Sequence, residues 1–135
     1  MRAARRIVLT LLGLILLGAR VAWAGGLDCN SRWLDRTGLI ICDDPELTRL
    51  EEQLARRLDS LATRLNFGQY LGLRHWQAMW AGQRATCAAD LDCITGSYRA
   101  QGRFLDRFQK CINASLARRA CLRDLLDGER ETMRH

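Results

Sequence analysis

Apolar and polar residues follow a helical period along most of this chain. Between positions 47 and 65, leucines recur every three or four residues, with arginines and acids between them. That spacing places the leucines on one face of a helix of about six turns. Asp44 precedes this helix as its N-cap and Pro45 lies in its first turn, while Asn66 and Gly68 predict its end.

Three more helices follow from the same period. A second is predicted over about residues 69–86 and a third from an N-cap at Asp92 to about residue 112. A short fourth helix ends at Gly128, whereas residues 25–42 contain glycines and polar residues that predict an irregular start. No alternating strand pattern is present. The sequence therefore predicts an all-α fold, a small antiparallel helical bundle of three main helices plus a short C-terminal helix.

The beginning of the chain has the pattern of a secretory signal peptide. Residues 1–24 combine a basic start, the uncharged and mostly apolar run Ile7–Gly18, and the small-x-small sequence Ala22-Trp23-Ala24. The apolar run is too short to span a membrane, which takes about 20 residues. We therefore expect cleavage after Ala24, a helical domain over 25–128 without a membrane span, and a disordered tail over 129–135.

Removal of the predicted signal peptide lowers the net charge of the protein. The 135-residue chain has a formal charge of +6, but residues 1–24 hold four arginines and no acid. The remaining 17 basic and 15 acidic residues leave a net charge of only +2. Nucleic-acid binding through bulk positive charge is therefore not expected.

Six cysteines in an exported chain predict disulfides and a periplasmic or secreted protein. Their spacing does not match the close Cys and His pairs of zinc sites, so no metal and no cofactor is predicted. Cys111 and Cys121 are expected to form one pair. The other four cysteines permit two arrangements, of which the local one is favoured: Cys29–Cys42 with Cys87–Cys93, or Cys42–Cys87 with Cys29–Cys93.

The chain offers little for catalysis. His75 is a lone helical histidine, and no serine or cysteine lies in a nucleophile-elbow motif. No catalytic residue is therefore predicted, and the protein is expected not to be an enzyme. Trp80 is expected in the core because tryptophan at helical spacing usually packs inside, whereas Trp33 is compatible with either the core or a recognition surface.

Several motifs resemble the N-terminal domain family of the lysozyme inhibitor LprI. They are Asp28-Cys29, Ile41–Leu47, the run Gln77-x-x-Trp80-x-x-x-Arg84-x-x-Cys87, and Cys93-Ile94-x-x-x-Tyr98. Gln77, Trp80, Arg84 and Cys87 fall on one helical face, where Arg84 can lie against Trp80 or cap carbonyls. The resemblance covers about residues 28–105 and implies a small helical protein of the bacterial envelope that binds, and inhibits, a lysozyme.

The chain departs from the family pattern at three places. Glu51 stands where the family tends to have Asp, Gln101-Gly102 replaces an Arg plus aliphatic pair, and Cys111 and Cys121 lie in an added C-terminal segment.

One acidic segment provides a hypothesis for the binding site. Five acids cluster in an otherwise nearly neutral chain: Asp43, Asp44, Glu46, Glu51 and Glu52. A basic lysozyme could bind these carboxylates, and such association would depend on salt. The alternative is a structural or interaction module for another envelope protein or a secreted toxin. The sequence does not predict an oligomeric state.

Overall fold

A computed structural model describes residues 26–132, and these form helices joined by turns and short loops. The predicted signal peptide and the last three residues of the predicted tail lie outside this range. The prediction of an all-α bundle with disulfides is confirmed. In chain order the helices are α1 (Arg36–Asp43), α2 (Pro45–Ala62), α3 (Phe67–Ala85), α4 (Leu91–Asn113) and α5 (Arg118–Thr132).

The main helices run antiparallel to their neighbours in sequence. Gln77 of α3 meets Gln101 of α4, and Arg84 further along α3 meets Tyr98 earlier in α4. The disulfide between α4 and the start of α5 requires the same reversal. Short connections favour this up-and-down arrangement.

Capping residues explain where α2 and α3 begin. The Asp44 carboxylate accepts hydrogen bonds from the amides of Glu46 and Leu47 at 2.8 and 3.0 Å, as its position before Pro45 predicts. Asn66, predicted to end α2, instead caps α3 in a capping box with Gln69. Asn is common both at the N-cap of a helix and just after a helix end. The sequence pattern therefore assigned Asn66 to the end of α2, although it caps the start of α3.

Two further helix starts differ from the prediction. Residues 36–43, expected to be irregular, form α1, whose N-cap Asp35 accepts from the Gly38 amide at 2.6 Å. Thr37 and Ile41 of α1 are buried, so tertiary packing stabilises a helix too short to persist alone. Asp90, rather than Asp92, caps α4 by accepting from the Cys93 amide at 2.9 Å.

The last helix is longer than predicted. α5 passes through Gly128 and ends at Thr132, so residues 129–132 are helical instead of part of a disordered tail. Glu129 pairs with Arg107 of α4, and the Thr132 hydroxyl donates to the Gly128 carbonyl at 3.1 Å. Contacts with another helix thus extend a segment that has no apolar stripe of its own.

The core lies between α2, α3 and α4, with Leu122 added from α5. Trp76 stacks on Phe104 at a centroid distance of 3.5 Å, and Trp80 meets Tyr98 edge-on at 5.7 Å. Trp80 is only 6% exposed, which confirms its predicted place in the core. The residues with the most completely buried large side chains are Ile41, Leu58, Leu73, Ile94, Phe104, Leu105 and Phe108.

Three disulfides connect successive elements, and the local pairing is confirmed. Cys29–Cys42 closes the N-terminal segment onto α1, with 5.6 Å between the Cα atoms. Cys87–Cys93 spans the turn from α3 to α4 at 5.6 Å, and Cys111–Cys121 joins the end of α4 to α5 at 5.4 Å. Three disulfides are typical of proteins in an oxidising compartment, outside the cytosol.

Substituting Gly102 with alanine is expected to stabilise the protein by about 0.5–1 kcal/mol, because glycine inside a helix costs about that much. A Cβ atom at Gly102 or at Gly96 of α4 would have no heavy atom within 4 Å apart from its chain neighbours and the nearby backbone of its own helix. Urea unfolding of Gly102→Ala measures the gain, and Gly96→Ala should behave alike. Gly72→Ala is the contrasting variant, because its Cβ would lie 3.3 Å from the Leu126 side chain. A lower unfolding midpoint for Gly102→Ala would contradict this prediction.

Candidate functional site

A charged cluster is buried where α2, α3 and α4 meet. Glu51 of α2, Arg84 of α3 and Tyr98 of α4 are each no more than 8% exposed. Arg84 Nη1 donates to Glu51 Oε2 at 2.7 Å and to Tyr98 Oη at 2.8 Å, and the Tyr98 hydroxyl donates to the same Glu51 oxygen. The opposite charges lie in contact, so the core holds an ion pair instead of an isolated charge.

The cluster also fixes the N-terminal segment and one tryptophan. The second oxygen of Glu51, Oε1, accepts from the Leu27 amide at 3.0 Å. The Arg84 guanidinium lies 4.7 Å from the Trp80 ring centroid and 5.3 Å from that of Tyr98, distances at which a cation is attracted to an aromatic face. Arg84 thus lies against Trp80 as the helical spacing suggested, but its carboxylate partner was not foreseen.

Burial and the adjacent Glu51 carboxylate raise the pKa of the Tyr98 hydroxyl far above its usual value, in spite of the opposing Arg84 charge. Tyr98 therefore stays protonated and acts as a hydrogen-bond donor. A closed cluster of this kind orients three helices and the N-terminal segment.

The remaining residue of the family-like motif lies in the same interface. Gln77 Oε1 accepts from Gln101 Nε2 at 2.5 Å, and Gln101 is 1% exposed. Gln77, Trp80, Arg84 and Tyr98 therefore all face the contact between α3 and α4.

Glu51 does not belong to the predicted acidic surface. It is 7% exposed, and its carboxylate accepts hydrogen bonds from Arg84, from the Tyr98 hydroxyl and from the Leu27 amide. The sequence carried a signal for this, because Glu51 lies four residues after Leu47 and three before Leu54 and so shares their apolar face. The expectation that Glu51 binds a partner is corrected.

The other four predicted acids lie nearer the surface, but most have local roles. Asp44 caps α2, Glu46 pairs with Arg49, and Glu52 meets Arg56 at 3.5 Å across one helical turn. Pairing with Arg49 lowers the pKa of Glu46, which is exposed. Asp43 is exposed at the end of α1. Ion pairs between exposed side chains one helical turn apart are weak. The carboxylates in them therefore still contribute to the electrostatic potential of this surface.

The N-terminal segment carries the most exposed aromatic side chain of the described residues. Trp33 is 93% exposed, and its backbone amide donates to the Ser31 hydroxyl at 3.2 Å. A cavity of about 200 Å³ separates Trp33 and Leu34 from Ala81 and Arg84 of α3. An exposed indole beside a cavity on a closed loop makes this the best-defined candidate for a binding surface.

The base of this segment is anchored to the domain. The Thr37 hydroxyl contacts the carbonyl oxygens of Ala85 and Ala88 at 3.1 and 2.9 Å, at the end of α3. Together with Cys29–Cys42 and the Leu27 contact to Glu51, this fixes the segment on both sides of Trp33.

Other site types find little support among residues 26–132. No group of three His, Cys, Asp or Glu side chains is placed to hold a metal ion there. None of the helices in that range has the length and apolar character of a membrane span. His75, the lone helical histidine, is exposed on α3.

The fold and the site define a small disulfide-closed α-helical domain with a polar cluster inside it and an exposed tryptophan on its N-terminal segment. Comparison of the chain with protein-family models, with curated proteins and with solved structures finds no match.

Proposed function

We propose that this protein is an exported, non-enzymatic binding module of the bacterial envelope that binds, and thereby inhibits, a lysozyme-type muramidase. The N-terminal segment and the first turn of α2, residues 26–46, form the binding surface. The observation that carries the proposal is Trp33, 93% exposed on a segment that a disulfide closes. Tryptophan is among the residues most enriched at interface hot spots.

Charge favours a basic partner for this surface. Residues 26–46 contain five acids and two arginines, a net charge of −3, although residues 25–135 together carry +2. Asp28 and Asp43 are the sequence neighbours of Cys29 and Cys42, whose Cα atoms are 5.6 Å apart, so both exposed acids lie at one edge. Complementary potentials accelerate association with a basic protein such as an animal lysozyme.

Rigidity supports the same role. The segment is held by Cys29–Cys42, by the Leu27 amide on Glu51 and by the Thr37 hydroxyl on α3. A loop already ordered before binding loses little conformational entropy in the complex. A preorganised surface therefore favours the high affinity that an inhibitor needs.

Trp33→Ala is expected to weaken lysozyme binding by about 2 kcal/mol or more, the threshold of a hot spot. Biolayer interferometry of mature protein against immobilised animal lysozyme, with a turbidity assay of lysozyme activity, measures the effect. Phe67→Ala is the matched control, because Phe67 is also an exposed aromatic, at 76%, but begins α3 outside the proposed surface. Binding by the unsubstituted protein should weaken as salt rises.

Two results would count against this function. If mature protein at micromolar excess neither binds nor slows animal or bacterial lysozyme at low salt, the inhibitor proposal fails. The alternative, an interaction module for another envelope protein or a secreted toxin, would then take its place. If Trp33→Ala and Phe67→Ala bind equally well, lysozyme binding does not use the N-terminal segment.

A further inference from the structure

A groove lies between the start of α3 and α5, far in sequence from the N-terminal segment. It encloses about 330 Å³, which is at the lower end of the range for small-molecule sites. Its apolar lining is the half-buried Leu126 together with Phe108 and Leu122, whose side chains are almost completely buried, and Arg119, Arg123 and Arg130 line it as well. We call it the α3–α5 groove.

The arginines of the groove are weakly engaged by the protein itself. Within residues 26–132, Arg119 has no carboxylate partner, and Arg123 has only its sequence neighbour Asp124, at 3.7 Å. Arg130 meets Asp127 at 3.4 Å. Since Asp127 is the only acid in the lining, the three arginines leave the groove with a net positive charge.

The start of α3 does not supply the positive potential. Its Gln69 amide already donates to the Asn66 side chain at 3.0 Å, and the Asn66 amide donates to Gln69 Oε1 at 3.2 Å. An anion in the groove would therefore be bound by guanidinium groups. Arginine suits carboxylate and phosphate oxygens because its planar group can donate two parallel hydrogen bonds.

We propose that the α3–α5 groove binds a single-chain amphiphilic anion. Its apolar chain lies on Leu126, next to the buried Phe108 and Leu122, and its carboxylate or phosphate head is held by Arg119 and Arg123. A volume of about 330 Å³ is in the range of sites for small ligands, which suits a chain of medium length. The site is independent of the proposed lysozyme surface and shares no residue with it.

Isothermal titration calorimetry of the folded protein tests this with four probes below their micelle concentrations: decanoate, decyl phosphate, decanol and inorganic phosphate. Decanoate, decyl phosphate or both should bind saturably with one site per chain, and their relative affinity identifies the head group. Decanol should bind at least about tenfold more weakly than the better anion, because it lacks the charge-assisted hydrogen bonds. Inorganic phosphate should show no saturable binding, because it lacks the chain.

Arginine variants test whether the ligand binds in the α3–α5 groove. Arg119→Gln with Arg123→Gln should weaken binding of the better anion by at least about tenfold, through lost charge-assisted hydrogen bonds. Arg103→Gln is the matched control, since Arg103 is exposed on α4 outside the groove lining. Circular dichroism verifies folding of both. Decanol binding as tightly as the anions, an unchanged affinity in the double variant, or binding without saturation would each overturn the proposal.

Discussion

Replacing Arg84 with alanine is expected to destabilise the protein by about 3–5 kcal/mol, the cost of breaking a buried ion pair from one side. The variant leaves the Glu51 carboxylate without its cation inside the core, where Glu51 is only 7% exposed to water. It also removes the guanidinium that lies 4.7 Å from the Trp80 ring centroid. Urea unfolding followed by circular dichroism measures the difference.

The burial of Arg84 raises the expected cost of Arg84→Ala to about that of Trp80→Ala. Helical spacing alone favours a smaller effect for Arg84, because an arginine near a tryptophan could be a surface residue. The structure makes the two comparable, since Trp80→Ala is also expected to cost about 3–5 kcal/mol, the range for a large core aromatic. Arg99→Ala, an exposed arginine of α4, should stay within about 0.5 kcal/mol of the unsubstituted protein.

A double-mutant cycle separates the ion pair from simple packing. Combining Arg84→Met with Glu51→Gln removes both charges, so the pair of changes should cost less than the sum of the single changes. Additive effects, or a loss below about 1 kcal/mol for Arg84→Ala, would show that the two groups do not interact as described. Glu51→Lys is unsuitable for testing surface charge, because it would place a second cation beside Arg84.

Reduction of the three disulfides is expected to remove most of the stability of the fold. The cysteines are separated by 13, 6 and 10 residues, and loops of this size contribute about 2–3 kcal/mol each in the chain-entropy model. Together this is roughly 8 kcal/mol, against about 5–15 kcal/mol for the stability of a typical domain. Thermal unfolding with and without a phosphine reductant should therefore show a large fall in Tm.

Removing one disulfide at a time gives an ordered series. The Cys87–Cys93 disulfide closes the shortest loop, so replacing both cysteines with serine should cost least. The Cys29–Cys42 disulfide closes the longest loop, so the same change there should cost most. A reduced protein that keeps its Tm within a few degrees would show that helix packing alone holds the domain.

The sequence by itself determined the elements whose signals are local. The leucine period, the Asp44–Pro45 start and the absence of strand patterns were sufficient for an all-α fold, because helical face and N-cap depend on residues within one or two turns. The favoured disulfides joined cysteines near in sequence across turn signals, where loop closure costs little entropy. The same period placed Trp80 correctly in the core.

Tertiary structure alone decided the features that depend on distant partners. Arg84 and Tyr98 lie 33 and 47 residues from Glu51, so periodicity could place Glu51 on the apolar face but could not name what neutralises it. The α1 helix and the last turn of α5 are too short or too polar to form by propensity, and packing against other helices stabilises them. The exposure of Trp33 likewise follows from the path of the N-terminal segment, because a side chain is buried only where another element covers it.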